Sequence, residues 1–504
     1  MDKDTLIIGL LGVSVLVLAL VMEFSARSGR LPQWLSRKIL HLGAVGACAA
    51  APALLSSSGL LILILIVTIV EPILLWLVAT RRLFSEASGR RSWGIALFPV
   101  AYLLLLLLNV KSRELIIWPM AILAVSDALA ATVGTLLARR YFVLTGDRKS
   151  WIGSTVFAIS ALGLLIGWAL STGGHPAWIW AYLVWVALVL AGIEALGSNG
   201  FDNVWIPWAA ACLLHSVHKL DAGSVAGLWL ALGLGIVFAR FTIRKKALSL
   251  DGAVMAVLVG LWVMRFAGPL MLVPLFFFLG SSTLLGRLVR QADAADAKHG
   301  KARDYWQVIC NGGIYAGLAT LMGTNAFNDE TYDGIVAMAM IVSLAISTAD
   351  TWASEIGMYY KGVTWDILRR RPLPPGVSGG VSFEGNVGGA VGAGCMAAMY
   401  CLGIAFKTRE ILPYFDLMFM LPAFGVIMVV GVMGMQLDSL LGAGLQARYR
   451  DPVTGDLADT PAPGRELVSG FRWMTNDAVN LISNLVVTLV FLVLLLSLVP
   501  FHMD

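Results

Sequence analysis

IVAMAMIVSLAISTADTWASEIG, residues 335–357, is the stretch that decides the fold. No charge precedes Asp350 in it. The span predicted over residues 334–356 is long enough to cross a hydrocarbon core of roughly 30 Å. Toward one end it nevertheless keeps two carboxylates, Asp350 and Glu355. A charged side chain costs about 2.5–3.5 kcal/mol at mid-bilayer and less near the surface, so acids inside a span mark a functional site.

The same material recurs along all 504 residues, of which 58% are hydrophobic and 13% charged, with mean hydropathy +0.82. A soluble chain carries about 25% charged residues. Further spans are predicted near residues 5–24, 39–55, 59–79, 93–108, 115–137, 152–171, 177–196 and 204–218. The remainder fall near 223–239, 251–267, 270–286, 305–323, 384–404, 413–436 and 479–499. The expected fold is an all-α polytopic integral membrane protein of about sixteen helices. With that threading, 29 of the 36 Lys and Arg fall in loops on one side: Arg27–Lys38, Arg81–Arg91, Arg139–Lys149, Arg240–Lys246, Arg287–Arg303, Lys361–Arg371 and Arg448–Arg472. By the positive-inside rule that side is cytoplasmic. The net charge of +5 therefore orients the chain and does not call for nucleic acid.

Several chemistries are excluded or disfavoured. The first run, Leu6–Met22, has no basic residue ahead of it but Lys3 and no small-residue cleavage site, so it reads as a retained helix. Cys48, Cys212, Cys310, Cys395 and Cys401 form no CxxC and read as buried small hydrophobes. There is no HExxH and no GxxxxGK[ST], so a nucleotide, if bound, sits in no Walker-type cradle.

Around Leu220–Lys246 the chain starts again. The domains expected are residues 1–220, a linker helix region at 221–246, and residues 247–504, two halves in parallel orientation. Asp127 to Gly134 and Asp350 to Gly357 both read Asp-x-x-Ala-x-x-x-Gly. A small-residue segment follows each, KSWIGS at 149–154 and GVSGGVSFEGN at 376–386. Next comes an acid late in another helix, Glu194 or Asp438, and then an acid–amide pair, Asp202–Asn203 or Asn476–Asp477. The shared order points to distant duplication or to convergence on one site plan.

Carboxylates and amides without Cys or His make a hard, oxygen-rich site suited to Mg²⁺ held together with substrate phosphates. Asp127, Asp202, Asp350 and Asp438 are the expected metal-side groups. Lys149, Glu194, Glu355 and Asp477 complete the catalytic set, although Glu355 lies about 140° round the helix from Asp350. Phosphate contacts are expected from Ser150, Gly153, Ser154 and Asn203 in the first half. In the second they are expected from Gly376, Ser378, Gly379, Gly380, Gly385, Asn476 and Asn480, since glycine and serine segments bring backbone N–H groups to anions. The bland alternatives are a structural acid–arginine pair at Asp127 or Asp350 and a plain flexible loop at 376–385. Arg369–Arg371 reads as an orientation anchor, and Gly388–Gly394 as close helix packing. These parts suit phosphoryl transfer, with a lipid-like acceptor because the site opens where loop meets hydrocarbon.

The residues also carry resemblances. The first half, through Arg37-Lys38-Ile-Leu-His41, Asp127–Gly134, Lys149–Ser154 and Glu194 to Pro207, looks like the dolichol kinase and phytol kinase family, related to CDP-diacylglycerol synthases. That resemblance implies CTP as donor, a polyprenol as acceptor, and a lipid-substrate side at Arg37, Lys38 and His41, which otherwise read as an orientation anchor. Ser126 in place of the usual Gly and the charged Gly146-Asp147-Arg148 depart from the family pattern. The second half resembles the transmembrane-protein-19-like family that includes plant phytyl-phosphate kinase. The match runs through Asp251-Gly252-Ala253, Gln307 to Gly313, Ala349 to Gly357, Pro375 to Gly385, Leu437 to Gly442 and Asn476 to Asn480. Together they imply a bifunctional kinase taking phytol or a similar prenol to its monophosphate and then its diphosphate, for tocopherol or quinone synthesis. Such an enzyme would sit in a bacterial inner membrane or a thylakoid-type membrane with both sites facing the cytoplasm. The alternatives are a CDP-lipid-forming cytidylyltransferase in the first half and a transporter built from repeats.

Overall fold

The computed structural model describes residues 2–79, 94–109, 111–292, 302–324, 330–374, 376–408, 417–452, 455 and 457–498. The basic loop read at Arg81–Arg91, the lysines Lys298 and Lys301, and Pro375 lie outside the described residues. The chain forms two compact units, residues 1–230 and 231–504.

The first unit holds α1 (Lys3–Arg27), α2 (Gln33–Leu54), α3 (Ser57–Ala79), α4 (Gly94–Asn109), α5 (Glu114–Ala121), α6 (Asp127–Leu137), α7 (Trp151–Thr172), α8 (Ile179–Leu196) and α9 (Asp202–His215). A π turn at Ile122–Ser126 joins α5 and α6 into one span, Glu114–Leu137. Pro119 stands just ahead of the π turn, and its missing N–H breaks the regular ladder there. Helix α10 (Ala222–Arg244) contains the boundary between units.

The second unit continues with α11 (Leu250–Ala267), α12 (Leu272–Ala292), α13 (Tyr305–Gly323), α14 (Glu330–Tyr360), α15 (Phe383–Thr408), α16 (Leu417–Gly444) and α17 (Asn476–Leu498). Every predicted span overlaps one of these helical segments, and among the described residues ten helices are long and apolar enough to cross a membrane. The protein is an all-α polytopic membrane protein in its spans.

Helix α14 is the core of the second unit, packing against α12, α13, α15, α16 and α17. Ala339, Met340, Val342, Leu344, Ala345 and Ala349 on it are fully buried. Lipid tails are as apolar as leucine, so close approach rather than hydrophobicity holds such helices together. The GGAVGAG run supplies that approach: Gly388 lies against Ile356, and Gly392 against Thr348 and Trp352. From α16, Gly431 lies against Ala345. Tyr359, Tyr360, Trp365, Phe383, Phe471 and Trp473 are exposed at the end of the unit where α14 stops and α15 and α17 begin. Aromatic side chains favour the membrane–water boundary in this way.

The loops are not irregular, as the all-helical expectation implied. An antiparallel hairpin joins β1 (Tyr141–Val143) to β2 (Arg148–Ser150). A second small sheet has order β4 (Pro372–Leu373), β3 (Thr364–Asp366), β5 (Gly380–Val381). A third has order β7 (Leu457–Ala458), β6 (Arg448–Arg450), β8 (Glu466–Ser469). Loop backbone folded onto a membrane domain has little water to satisfy its N–H and C=O groups, and ladder bonds do so instead.

Candidate functional site

Each unit carries the same device beside its motif aspartate. In the first, Ser150 caps α7 and its Oγ accepts from the Gly153 N–H at 3.1 Å. A Cβ on Gly153 would stand 3.0 Å from the Ala130 carbonyl oxygen, and one on Gly134 2.7 Å from Ser150 Oγ. In the second, Ser382 Oγ accepts from the Gly385 N–H at 3.1 Å. There a Cβ on Gly385 would stand 2.9 Å from the Ala353 carbonyl, and one on Gly357 3.0 Å from Ser382 Oγ. The offsets from Asp127 to Ala130 and Gly134 equal those from Asp350 to Ala353 and Gly357. In both units the aspartate helix is therefore locked, glycine to glycine, against the positive start of the next helix. Ser382 was missing from the expected site residues, although Ser-x-x-Gly before a helix marks it in both halves.

The neutralisation of the two aspartates differs. In the first unit Lys38 on α2 donates to Asp127 Oδ2 at 2.7 Å, with His41 Nε2 at 3.5 Å from the same oxygen. Lys149 donates to Glu194 Oε1 at 2.6 Å and lies 3.6 Å from Asp202 Oδ2. Ser154 Oγ donates to the other Glu194 oxygen at 3.1 Å. Strand alternation in the hairpin aims Lys149 inward while Arg148 turns out over the Tyr141 ring, 3.8 Å away. Burial lowers the Lys149 pKa, but Glu194 and Asp202 outweigh it and hold the ammonium above its ordinary value. Asp147 accepts from the Asn199 N–H at 3.0 Å, so the charged Gly146-Asp147-Arg148 stretch braces the hairpin and leaves Lys149 its place. Arg37 is exposed and stays outside the cluster. The Asn203 amide donates to the Gly94 carbonyl at 3.0 Å, so it ties α9 to α4. The structural acid–arginine alternative at Asp127 is replaced by a lysine.

In the second unit the expected residues surround one cavity of about 520 Å³. Asp350 and Glu355 reach it from α14 and Asp438 from α16; Asn476, Asp477 and Asn480 reach it from the start of α17. Gly376, Ser378, Gly379 and Gly380 form one rim, and Gly385 lies below it. The carboxyl groups of Asp350 and Asp438 are within hydrogen-bonding reach of each other, a contact that like charges keep only with a proton or cation between them. Ser483 Oγ donates to Asp438 Oδ2 at 3.0 Å. Asn480, with its amide in the orientation that satisfies both ends, donates to the same oxygen at 3.1 Å and to the Asn476 carbonyl at 3.0 Å. Glu355 instead faces α12, its Oε1 3.1 Å from where a Cβ on Gly286 would stand.

The glycine rim is clamped, so it is no loose loop. Gly376 and Gly379 have φ of 81° and 78°, and Gly379 is pressed on the Ala443 backbone. Arg448 donates to the Ser378 carbonyl at 2.5 Å, Ser378 Oγ donates to Gln446 at 2.6 Å, and the Ser378 N–H donates to Asp459 at 3.3 Å. Ser378 is therefore a fastening point whose own hydroxyl is engaged, contrary to its expected phosphate role. Asp366 underlies the clamp, accepting from Arg369 Nη1 at 3.2 Å and lying 4.0 Å from Arg448 Nη1. Its burial pushes the carboxyl up, but the bonds from Arg369 prevail and hold it below the usual range. Sequence reasoning missed Arg448, which was read as an orientation charge, and Gln446, Asp366 and Asp459, which belong to no motif and meet the rim only through the fold. Asn311, also on the cavity wall, joins a buried ladder beneath it: Ser347 Oγ donates to the Asn311 carbonyl at 3.2 Å, and Asn484 Nδ2 donates to Ser347 Oγ at 3.0 Å.

Among the described residues no group of three His, Cys, Asp or Glu side chains is placed to hold a metal. Two facing carboxylates with neighbouring amide and hydroxyl oxygens do fit an ion such as Mg²⁺, which takes one or two protein carboxylates and completes its shell with water and phosphate.

A helical membrane domain with an acid- and glycine-lined pocket at one end defines a class, polytopic proteins whose chemistry lies at the membrane boundary. The chain belongs to the family described as integral membrane protein DUF92, which matches residues 233–488. It is similar to Protein PGR of Arabidopsis thaliana, 28% identical over 265 residues, 48% of this chain and 86% of that one. Phytol kinase of Synechocystis is 26% identical over 234 residues, 43% of this chain and 93% of that protein. Protein VTE6, chloroplastic, of Arabidopsis thaliana is 21% identical over 238 residues, 47% of this chain and 62% of its own length. No solved structure matches.

Proposed function

We propose that the protein is a membrane phosphotransferase acting on isoprenoid substrates, with the first unit phosphorylating a prenol and the second converting the monophosphate to the diphosphate. One observation carries this reading: the Ser-capped, glycine-locked aspartate device occurs in both units with opposite neutralisation. The similarity to a phytol kinase supports the substrate class. In each step a γ-phosphorus–oxygen bond of a nucleoside triphosphate breaks, a new one forms to the acceptor oxygen, and nucleoside diphosphate leaves. CTP is the proposed donor, from the resemblance of the first half to CTP-using kinases.

The two acceptors make different demands. An alcohol must lose a proton, and the His41–Asp127 pair is the group to take it, with Lys38 and Lys149 facing the phosphates. A phosphomonoester is already ionised, and among the described residues no histidine lines the second cavity. Mg²⁺ bound by Asp350 and Asp438 would supply charge neutralisation along the transferring phosphoryl group. The N-terminal ends of α15 and α17 and the rigid glycine rim orient the donor, since helix starts attract anions.

Mass spectrometry of lipid products tests the reading. Purified protein is given phytol, farnesol or geranylgeraniol with CTP, ATP, UTP or GTP and Mg²⁺. Mono- and diphosphates of at least one prenol are expected. Cytidine incorporated into lipid, or no phosphorylated lipid with any donor, overturns it.

A further inference from the structure

The cavity of the second unit has a second wall that the proposed donor site does not use. Lys246 follows α10 at φ 54°, a left-handed position after a helix where glycine is the usual choice. The Arg303 N–H donates to the Ala247 carbonyl at 3.1 Å and the Ser249 N–H to the Arg303 carbonyl at 3.0 Å. Lys246 and Arg303 therefore rise from adjoining backbone, and both line the cavity. The Arg303 guanidinium lies over the Phe278 ring, 5.9 Å from its centroid. Ser282 is four residues further along α12, on the same face, and also lines the cavity. It is 1% exposed, and among the described residues its Oγ has no hydrogen-bond partner. Its neighbours behave differently: Ser281 donates to the Phe278 carbonyl at 3.3 Å and Thr283 to the Leu279 carbonyl at 2.6 Å. A buried hydroxyl that is not bonded back to its own helix needs a partner from the cavity.

We propose that Arg303, Ser282 and Lys246 form an acceptor subsite that binds the phosphomonoester of the lipid substrate, across the cavity from the glycine rim and the Asp350–Asp438 pair. Guanidinium and ammonium groups neutralise the dianion, and the Ser282 hydroxyl donates to one of its oxygens. The subsite makes the second unit selective for a phosphate over an alcohol. It rests on the two-step reading of the two units.

The test uses purified full-length protein with geranylgeranyl monophosphate and CTP. In Arg303→Gln the KM for the monophosphate should rise at least tenfold, and in Ser282→Ala severalfold. The KM for CTP should stay within twofold, and Arg303→Lys should recover most of the loss. Tryptophan fluorescence titration without nucleotide should show monophosphate binding weakening in the same order while geranylgeraniol binding is unchanged. Unaltered KM and binding in Ser282→Ala and both Arg303 variants would remove the subsite, as would a rise in the KM for CTP alone. If Arg303→Gln fails to fold, Ser282→Ala and Arg303→Lys decide the matter. Wild-type protein that binds the monophosphate but never converts it refutes the two-step reading and leaves the subsite standing.

Discussion

The two motif aspartates look alike in sequence and differ in what faces them. Asp127 meets Lys38, whereas Asp350 meets Asp438. Neither pairing was legible, because it depends on which helix packs alongside rather than on the motif itself. The carboxylate pair predicts a metal-dependent stability. Wild-type protein should gain several degrees in Tm on adding Mg²⁺, since a ligand bound only to the folded state stabilises it by mass action. Asp438→Asn should lose most of that gain, hold or raise its Tm in EDTA, and let monophosphate accumulate from free prenol. A Tm response to Mg²⁺ equal to wild type in Asp438→Asn would count against the pair as the metal site. Lys149 gives a pH prediction. Its pKa is raised in the folded protein, so its stabilising contribution is complete below the unfolded value of about 10.4 and is lost only as pH rises through the folded one. Prenol phosphorylation should therefore show no lysine titration between about pH 7 and 9. Lys149→Met should lower that step by at least ~10²-fold while supplied monophosphate is still converted.

At the scale of elements, the helices were readable because hydropathy marks each one, and the predicted spans fall on them. The small sheets were not readable. Their strands run two to four residues, too short for any period, and they exist through cross-loop bonds such as Arg448 to Ser378. The glycine segment was read as a phosphate cradle, and its rigidity was not legible. That rigidity is testable at Gly379, whose φ is 78° and whose added Cβ would stand 2.5 Å from Ala443 Cα. Left-handed backbone costs an L-residue about 1–2 kcal/mol before any clash. Gly379→Ala should raise the nucleotide KM of the second step roughly tenfold or more and leave prenol phosphorylation unchanged. Steady-state kinetics with each acceptor separates the two effects.

At the scale of the whole molecule, charge bias in the loops carries the orientation, and labelling from outside the cell checks it. In a cysteine-free background, Val363→Cys should resist a membrane-impermeant thiol reagent in intact cells and Leu270→Cys should react. Both positions are exposed, 67% and 59%, the first in the loop after α14 and the second in the turn between α11 and α12. The reverse pattern would put the second cavity on the wrong side for a cytoplasmic nucleotide. The internal likeness of the halves was visible only from each aspartate onward. The π turn at Ile122–Ser126 accounts for that limit. A π turn houses one surplus residue in a helix, and α14 is regular α-helix throughout Glu330–Tyr360. One residue rotates a helix by about 100°, so the faces upstream of Asp127 and of Asp350 fall out of phase. If the halves descend from one ancestor, an ungapped alignment of them loses its signal at that point. Moving a single gap to the π turn restores the facing positions, and the inserted residue becomes a dated event in the chain's history, later than the duplication.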